Sequence, residues 1–239
     1  MGLFKLAVAD AAITFLWVAA TATLGAATNI IASYVGVEGA GARGLITFVL
    51  VAVLIVVFST IGQKLGGASW NPTALLAFSA AGVSNDSLFS FAVRFPAQAV
   101  GAAGGALSIL ELMPETYKHT LGGPRLKVDV QSGLIAEGFL TFAITFVVMW
   151  TVLKGPRSAI WKTVIITTAT VFLVTAGSKY TGPAMNSAVA FGWAYANNRH
   201  NTWDHLYVYW IAPHLGALAA AWLFSLFFSV PKEHKEKSA

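Results

Sequence analysis

Long apolar runs, separated by short connections, dominate this chain and leave few folds open to it. Apolar residues make up 56% of the 239 positions and charged residues only 10%, which argues against a soluble domain. In lipid, backbone polar groups must be satisfied within the chain, so we interpret the long runs as transmembrane α-helices. Six runs are long enough to cross a bilayer: about 4–32, 44–62, 88–112, 131–153, 159–178 and 206–230.

Two shorter apolar segments, 67–78 and 182–191, each contain an Asn that follows small residues and precedes apolar ones. That pattern is typical of an N-capped helix. About ten residues at 1.5 Å each give about 15 Å, roughly half of the hydrocarbon core. Each segment therefore predicts a half-helix that enters the membrane without crossing it. The motif residues are Asn71, Pro72 and Thr73 in the first segment and Asn186, Ser187 and Ala188 in the second.

The order of these segments repeats, because each half of the chain has two spans, a half-helix and a further span. An acid occupies the same place in the first and fourth spans, Asp10 and Glu137, each with Thr-Phe starting four residues later. Three full spans separate Asn71 from Asn186, so the two half-helices enter from opposite faces of the membrane. The repeats are therefore inverted, and the half-helix N-termini can meet at the midplane.

These patterns predict an all-α membrane protein with six transmembrane helices and two re-entrant half-helices in one channel domain, residues 1–239. The inverted repeats cover about 4–112 and 131–230, and the loop 113–130 joins them. Placing both termini in the cytosol puts nine of the 15 Lys and Arg residues on that side, as the positive-inside rule favours. The basic tail 231–239 is then cytosolic.

Re-entrant backbone at membrane depth must be buried in protein or line a watery cavity, so two half-helices indicate a pore. Each N-terminus carries about half a positive charge, and the side chains of Asn71 and Asn186 can donate an amide N–H inward. Such a site orients a neutral solute such as water and repels protons and cations. A single Asn in an apolar run would be explained by helix packing, but the matched pair favours a pore.

The other polar residues within the spans have structural interpretations. Asp10 and Glu137 are expected to accept hydrogen bonds from the irregular backbone beside the half-helices, with a proton relay as the alternative. Arg94, near the start of the third span, is expected to extend its charge to the cytosolic interface. The His residues, which we interpret as loop or interface residues without the spacing of a metal site, are His119, His200, His205, His214 and His234.

The six spans, the inverted halves, the paired acids and the two Asn motifs together resemble the major intrinsic proteins, or aquaporins. Within that family the chain is most similar to the plant small basic intrinsic proteins of subgroup one. Thr73 in place of Ala, the run 180–186 and the basic tail carry that closer similarity. The resemblance implies an hourglass fold, a homotetramer with one pore per subunit, passive water flow and residence in the endoplasmic reticulum membrane.

The resemblance also implies a selectivity filter on the non-cytosolic side of the paired Asn, at Val51, Val174, Pro183 and Val189. Val189 replaces the usual filter Arg, and Val51 and Val174 replace the aromatic residue and the His of water-selective members. An apolar, uncharged filter implies slower water conduction and weaker exclusion of less polar neutral solutes. Ser187 replaces the Pro that usually starts the second half-helix, which leaves the cap geometry less fixed.

Lys235 and Lys237 lie at the third and fifth positions from the C-terminus. This spacing resembles the dilysine retrieval signal that coat proteins read in the cytosol. The alternative is a solvated basic tail that binds anionic lipid headgroups. The family resemblance favours retrieval.

The leading functional hypothesis is a passive channel for water and other small neutral solutes, with membrane lipid and copies of the same chain as partners. A secondary transporter is an alternative, but the half-helix segments contain no acid or His for ion coupling. A non-conducting scaffold also stays open, because of the apolar filter and Ser187. We expect no enzyme activity, cofactor, metal site or nucleic-acid partner: no nucleophile is paired with a base, and the basic residues are scattered.

Overall fold

The computed structural model describes residues 1–229, so the predicted retrieval residues Lys235 and Lys237 and the tail 231–239 lie outside the described residues. The described part is helical and contains no β-strand. A π-helical segment, Tyr207–Ile211, connects the last two α-helices. The α-helices are α1 Leu3–Ala22, α2 Leu24–Val35, α3 Ala40–Lys64, α4 Pro72–Ala80, α5 Leu88–Leu112, α6 Glu115–Lys118, α7 Val130–Leu153, α8 Ala159–Gly177, α9 Ser187–Ala196, α10 Trp203–Leu206 and α11 Ala212–Phe227.

Within residues 1–229, five helical stretches are long and apolar enough to cross a membrane: α1, α3, α7, α8 and the continuous stretch Trp203–Phe227. The third predicted span, α5, is also long, with 25 residues, but it carries buried polar side chains. It is less apolar because it packs inside the protein, against α1 and α9. The predicted all-α fold with six transmembrane helices and two re-entrant half-helices is confirmed.

The first predicted span, 4–32, differs from the structure because it is divided into α1 and α2 at Thr23. The hydroxyl of Thr21 donates to the Trp17 carbonyl at 2.8 Å, and that of Thr23 donates to the Ala20 carbonyl at 2.8 Å. Such local hydrogen bonds compete with the regular helix ladder. The sixth span also differs from the prediction, since it begins at Trp203 and includes the π-helical turn.

The two halves use the same packing at their principal helix crossings, α1 against α5 and α7 against α11. A Cβ on Gly101 would lie 2.1 Å from the Ala11 carbonyl oxygen, and one on Gly216 would lie 2.2 Å from the Gly138 carbonyl oxygen. Only Gly permits such close approach of two backbones, which is the usual basis of helix association in lipid. Ala11 and Gly138 directly follow the two buried acids, so both crossings lie beside the acid of their half.

Each half-helix packs on the last long helix of the opposite half, α4 on α11 and α9 on α5. The three long helices α5, α7 and α8 lie between the half-helices along the chain. An odd number of crossings places α4 and α9 on opposite sides of the molecule. Their N-termini meet at the centre, where the candidate site lies.

Candidate functional site

Each half-helix is capped by its own Asn. The Asn71 Oδ1 atom accepts the Thr73 N–H at 3.0 Å, and the Asn186 Oδ1 atom accepts the N–H groups of Ala188 and Val189 at 3.1 and 3.3 Å. Both Asn residues have extended backbone, with φ of −142° and −158°, as an N-cap requires. The side-chain oxygens therefore face their own helices, and the amide nitrogens point away from them.

The side-chain amide of each Asn donates a hydrogen bond to the backbone directly before the other half-helix. Asn71 Nδ2 donates to the Met185 carbonyl at 3.1 Å, and Asn186 Nδ2 donates to the Trp70 carbonyl at 2.8 Å. The acceptors are the residues that precede the opposite Asn. An amide group carries two N–H groups, so these contacts leave a second donor on each side chain. The abutting N-termini add positive potential at the same point.

The two carbonyl acceptors, those of Trp70 and Met185, are not among the residues that the sequence predicts for the site. The Trp70 ring is held by Trp17 and Phe58, with ring centroids 5.2 and 6.0 Å away. Met185 lies at φ 46°, in the left-handed region that non-glycine residues rarely adopt. Their position directly before each Asn is the signal that could have found them.

Glu137 holds the backbone that leads into α9. Its side chain is fully buried, and its Oε1 atom accepts the N–H groups of Ala184 and Met185 at 2.8 and 2.7 Å. The Oε2 atom accepts the Thr181 hydroxyl at 2.7 Å. These hydrogen bonds fix the unusual backbone of Met185 and aim its carbonyl at Asn71.

Asp10 has the corresponding place in the first half but different partners. Its Oδ1 atom accepts the Ser69 N–H at 2.7 Å, and the carboxylate forms a two-point pair with Arg94, with Nε–Oδ2 of 2.7 Å and Nη2–Oδ1 of 2.9 Å. Gln98 Nε2 adds a contact to Oδ2 at 3.1 Å. The interpretation of Arg94 as reaching the interface is therefore wrong: its side chain is 2% exposed, because burying Asp10 requires a compensating cation.

Two residues of the Asn motifs, Thr73 and Ser187, place a hydroxyl near the junction. Thr73 Oγ1 donates to Asn71 Oδ1 at 2.7 Å and lies 3.2 Å from the Met185 carbonyl oxygen. Ser187 Oγ lies 3.4 Å from His214 Nδ1, which is 2.6 Å from the Trp210 carbonyl oxygen. His214 therefore lies inside α11 beside α9, and its interpretation as a loop or interface residue is wrong.

A cavity lies on each side of the Asn pair. The larger cavity, of about 360 Å³, extends along α9 and touches Val174, Pro183 and Val189. Val51, the fourth predicted filter residue, lies on α3 and does not line it. The smaller cavity, of about 50 Å³, extends along α4 beside Asn71 and α7. Pro72 and Ser187 are the first residues of the half-helices, and Ala188, the second residue of α9, is fully buried.

The family model described as "Major intrinsic protein" matches residues 2–224. Aquaporin SIP1-1 of Zea mays is 56% identical over 229 residues, covering 95% of this chain and 94% of the relative. Aquaporin SIP1-1 of Arabidopsis thaliana is 51% identical over 241 residues, covering 99% and 98%. The aquaglyceroporin of Plasmodium falciparum has a similar fold, with a TM-score of 0.67, 16% identity and 93% of each chain covered.

These similarities extend over nearly the whole chain and agree with the all-helical architecture. They support a membrane channel for water or small solutes, in a family whose members are not enzymes. The chain belongs to the major intrinsic protein family, the aquaporins, and within that family it resembles the SIP1 proteins of plants.

Proposed function

We propose that the chain is a passive channel for water and other small neutral solutes whose pathway passes between Asn71 and Asn186. The observation that carries this proposal is the reciprocal pair of Asn hydrogen bonds, which leaves a free N–H donor on each side chain at two abutting helix N-termini. The two cavities on either side of that junction are the approaches to it.

The chemistry of the junction favours neutral acceptors. A water molecule accepts hydrogen bonds from the two Asn amides through its lone pairs, which turns its own hydrogens away from the junction. A proton or cation meets the positive ends of α4 and α9 where it also loses its hydration shell. The proposed pathway thus passes water and rejects cations by electrostatics.

The proposed filter consists of Val51, Val174, Pro183 and Val189. Three of these residues touch the larger cavity, whose lining near the second motif is apolar. Water loses hydrogen-bond partners in such a passage, so we propose slow water conduction and weak exclusion of less polar neutral solutes.

A secondary transporter needs ionisable groups at the broken helices. Asp10 and Glu137 are the nearby acids. The Asp10 carboxylate accepts hydrogen bonds from a backbone N–H and from Arg94, and the Glu137 carboxylate accepts hydrogen bonds from two backbone N–H groups. These partners support a structural role for the acids and favour the channel over coupled transport.

We further propose a homotetramer in the endoplasmic reticulum membrane with both termini in the cytosol. The exposure of α3 supports contacts with lipid and with other copies of the chain, since only 6% of its most apolar stretch is buried within one chain. Lys235 and Lys237 are proposed as a retrieval signal for coat proteins. Replacing both with Ala should move a fluorescently tagged chain out of the endoplasmic reticulum, and unchanged localisation would remove this proposal.

The channel is tested by osmotic shrinkage of proteoliposomes that contain the purified protein. Wild-type vesicles should shrink faster than empty vesicles, and a series of neutral solutes should show which ones pass. Val189→Arg should change the relative permeability to water and those solutes if this position is part of the filter. A water permeability equal to that of empty vesicles, with incorporation of the protein verified, would favour a non-conducting membrane scaffold.

A further inference from the structure

We propose that Lys127, on the loop between α6 and α7, sets the charge selectivity of the larger cavity by lowering the local concentration of cations. The proposal rests on the proposed channel function and assigns a residue that determines which solutes reach the filter. The proposed filter residues that line this cavity, Val174, Pro183 and Val189, carry no charge, so a fixed charge on the cavity wall comes from another residue.

The loop that carries Lys127 is fixed to the backbone just before the second motif. The Arg125 N–H donates to the Thr181 carbonyl at 2.8 Å, and the Lys127 N–H donates to the Tyr180 carbonyl at 2.8 Å. These two hydrogen bonds hold the loop alongside the segment that leads into Gly182 and Pro183. The loop is therefore a wall of the larger cavity.

The packing of Gly123 fixes the same loop at a second point. A Cβ at this position would lie 2.1 Å from Cγ of Trp193 on α9, so the loop lies directly against the half-helix. Gly122, Gly123 and Pro124 line the larger cavity together with Lys127. The position of Lys127 at the cavity is thus set by contacts on both sides of the loop.

The ammonium group of Lys127 is directed to the cavity wall. Its Nζ atom donates to the Ser178 carbonyl at 2.8 Å, and Ser178 is also a lining residue. An ammonium has three N–H donors, so two remain for water or solute. Among the described residues that line this cavity, Lys127 is the one with a charged side chain.

A fixed positive charge acts on the solutes before they reach the narrowest point. Two unit charges about 4 Å apart in water repel each other enough to change a local concentration about fivefold. The same repulsion raises the free energy of a cation beside Val174, Pro183 and Val189, which line this cavity together with Lys127. Cation flux therefore falls by that factor where the filter is the main barrier to cations. Water and neutral solutes are unaffected, and salt weakens the effect because the group is exposed.

A purely structural role for Lys127 is the competing explanation. Ser178 is the C-cap of α8, and a cation near a helix C-terminus is stabilising. Such a role would appear in the unfolding temperature. It would not change the ratio of cation to water permeability, nor make that ratio depend on salt.

The test compares wild type with Lys127→Met in proteoliposomes, by osmotic water permeability, proton flux at clamped potential and methylammonium uptake. We expect Lys127→Met to raise both cation fluxes about fivefold at low ionic strength and less at high salt. Water permeability should stay within about twofold, since the charge has no effect on neutral solutes. Lys127→Arg should behave as wild type.

Lys179→Met is the matched control, because Lys179 is an exposed lysine directly after Ser178 that does not line the cavity. Unchanged cation fluxes in Lys127→Met, or an equal rise in Lys179→Met, would overturn the proposal. Failure of the channel itself has a different signature: wild-type water permeability equal to that of empty vesicles. In that case there is no conducting pathway, and both the proposed channel function and the proposed role of Lys127 are contradicted.

Discussion

Thr73 and Ser187 place hydroxyl groups at the starts of the two half-helices, and their surroundings give them different effects. The Thr73 hydroxyl is buried and bonds to Asn71 next to the Met185 carbonyl, so it adds a contact at the junction itself. Among the described residues, the partner of the Ser187 hydroxyl is His214, at a long distance, and the Nδ1 atom of His214 has a shorter contact to the Trp210 carbonyl. We therefore expect the Thr73 hydroxyl, and not that of Ser187, to stabilise the junction.

Thr73→Val should test this difference, because it removes the hydroxyl and keeps the shape of the side chain. We expect a loss of about 1 kcal/mol in the free energy of unfolding, the usual value of one hydrogen bond. Thermal unfolding in detergent measures it. Thr60→Val is the control, since the Thr60 hydroxyl bonds only to the Val56 carbonyl of its own helix on an exposed face. Equal effects of the two variants would contradict a role at the junction.

Ser187→Pro should be tolerated. Asn186 has φ −158° and ψ 104°, in the extended region that a residue before Pro favours, and Ser187 is the first residue of α9. Pro at a compatible position stabilises by about 0.4–1 kcal/mol through the unfolded chain. The unfolding temperature should therefore be equal or higher. A clear decrease would show that the hydroxyl of Ser187 matters more than its long contact indicates.

The buried Arg94 side chain bonds to the chain both before and after the first half-helix, α4. Arg94 on α5 bonds to Asp10 and to the Gly67 carbonyl before α4, and its Nη1 atom donates to Asp86 Oδ1 after α4 at 2.9 Å. The loop before α9 is held differently, by direct bonds from its backbone to Glu137. The two halves thus share a fold but not the electrostatics that hold it.

Arg94→Met should be strongly destabilising because it leaves Asp10 buried without its cation. A broken buried ion pair costs about 3–5 kcal/mol in the free energy of unfolding. Arg43→Met is the control, since Arg43 is exposed and bonds to Asn29, and should cost less than about 0.5 kcal/mol. The double variant Asp10→Asn/Arg94→Met should lose less than the sum of its single variants. Additive losses would contradict the pairing.

We expect the free energy of unfolding to depend on pH through Asp86, which lies in the loop after α4. Burial of Asp86 acts to raise its pKa, but the hydrogen bonds from Ser90 and Arg94 and the charge of Arg94 outweigh burial and hold the pKa below its usual value. A carboxylate with a lowered folded-state pKa contributes stability above its unfolded pKa of about 3.9 and loses that contribution as the pH falls through the folded pKa.

Unfolding temperatures of wild type and Asp86→Asn, measured in detergent from neutral pH down to about pH 3, test this linkage. The difference between the two proteins should be largest near neutral pH and shrink as the pH falls through the carboxylate range. Asp204→Asn, at an exposed site, is the control. A difference that is independent of pH would contradict the ionised contact between Arg94 and Asp86.

Across the molecule, the sequence predicted the elements better than their contacts. Periodic apolar runs and Asn caps predicted the helices, since those patterns depend only on neighbouring residues. The partners of the two Asn, the carbonyls of Trp70 and Met185, depend on how the halves dock, and their sequence signal is limited to their position directly before each Asn. The burial of Arg94 was missed for the same reason: a lone Arg near a helix end does not show which acid it meets.

The central claim is that solute passes between the two half-helices, and blocking that passage tests it most directly. Osmotic water permeability should be measured in proteoliposomes for wild type, for Val189→Trp, which puts an indole ring into the cavity beside α9, and for Val53→Trp, on an α3 side chain that is 52% exposed. Val189→Trp should reduce permeability to that of empty vesicles, whereas Val53→Trp should retain the wild-type value. Wild-type permeability in Val189→Trp, at equal incorporation, would contradict the account.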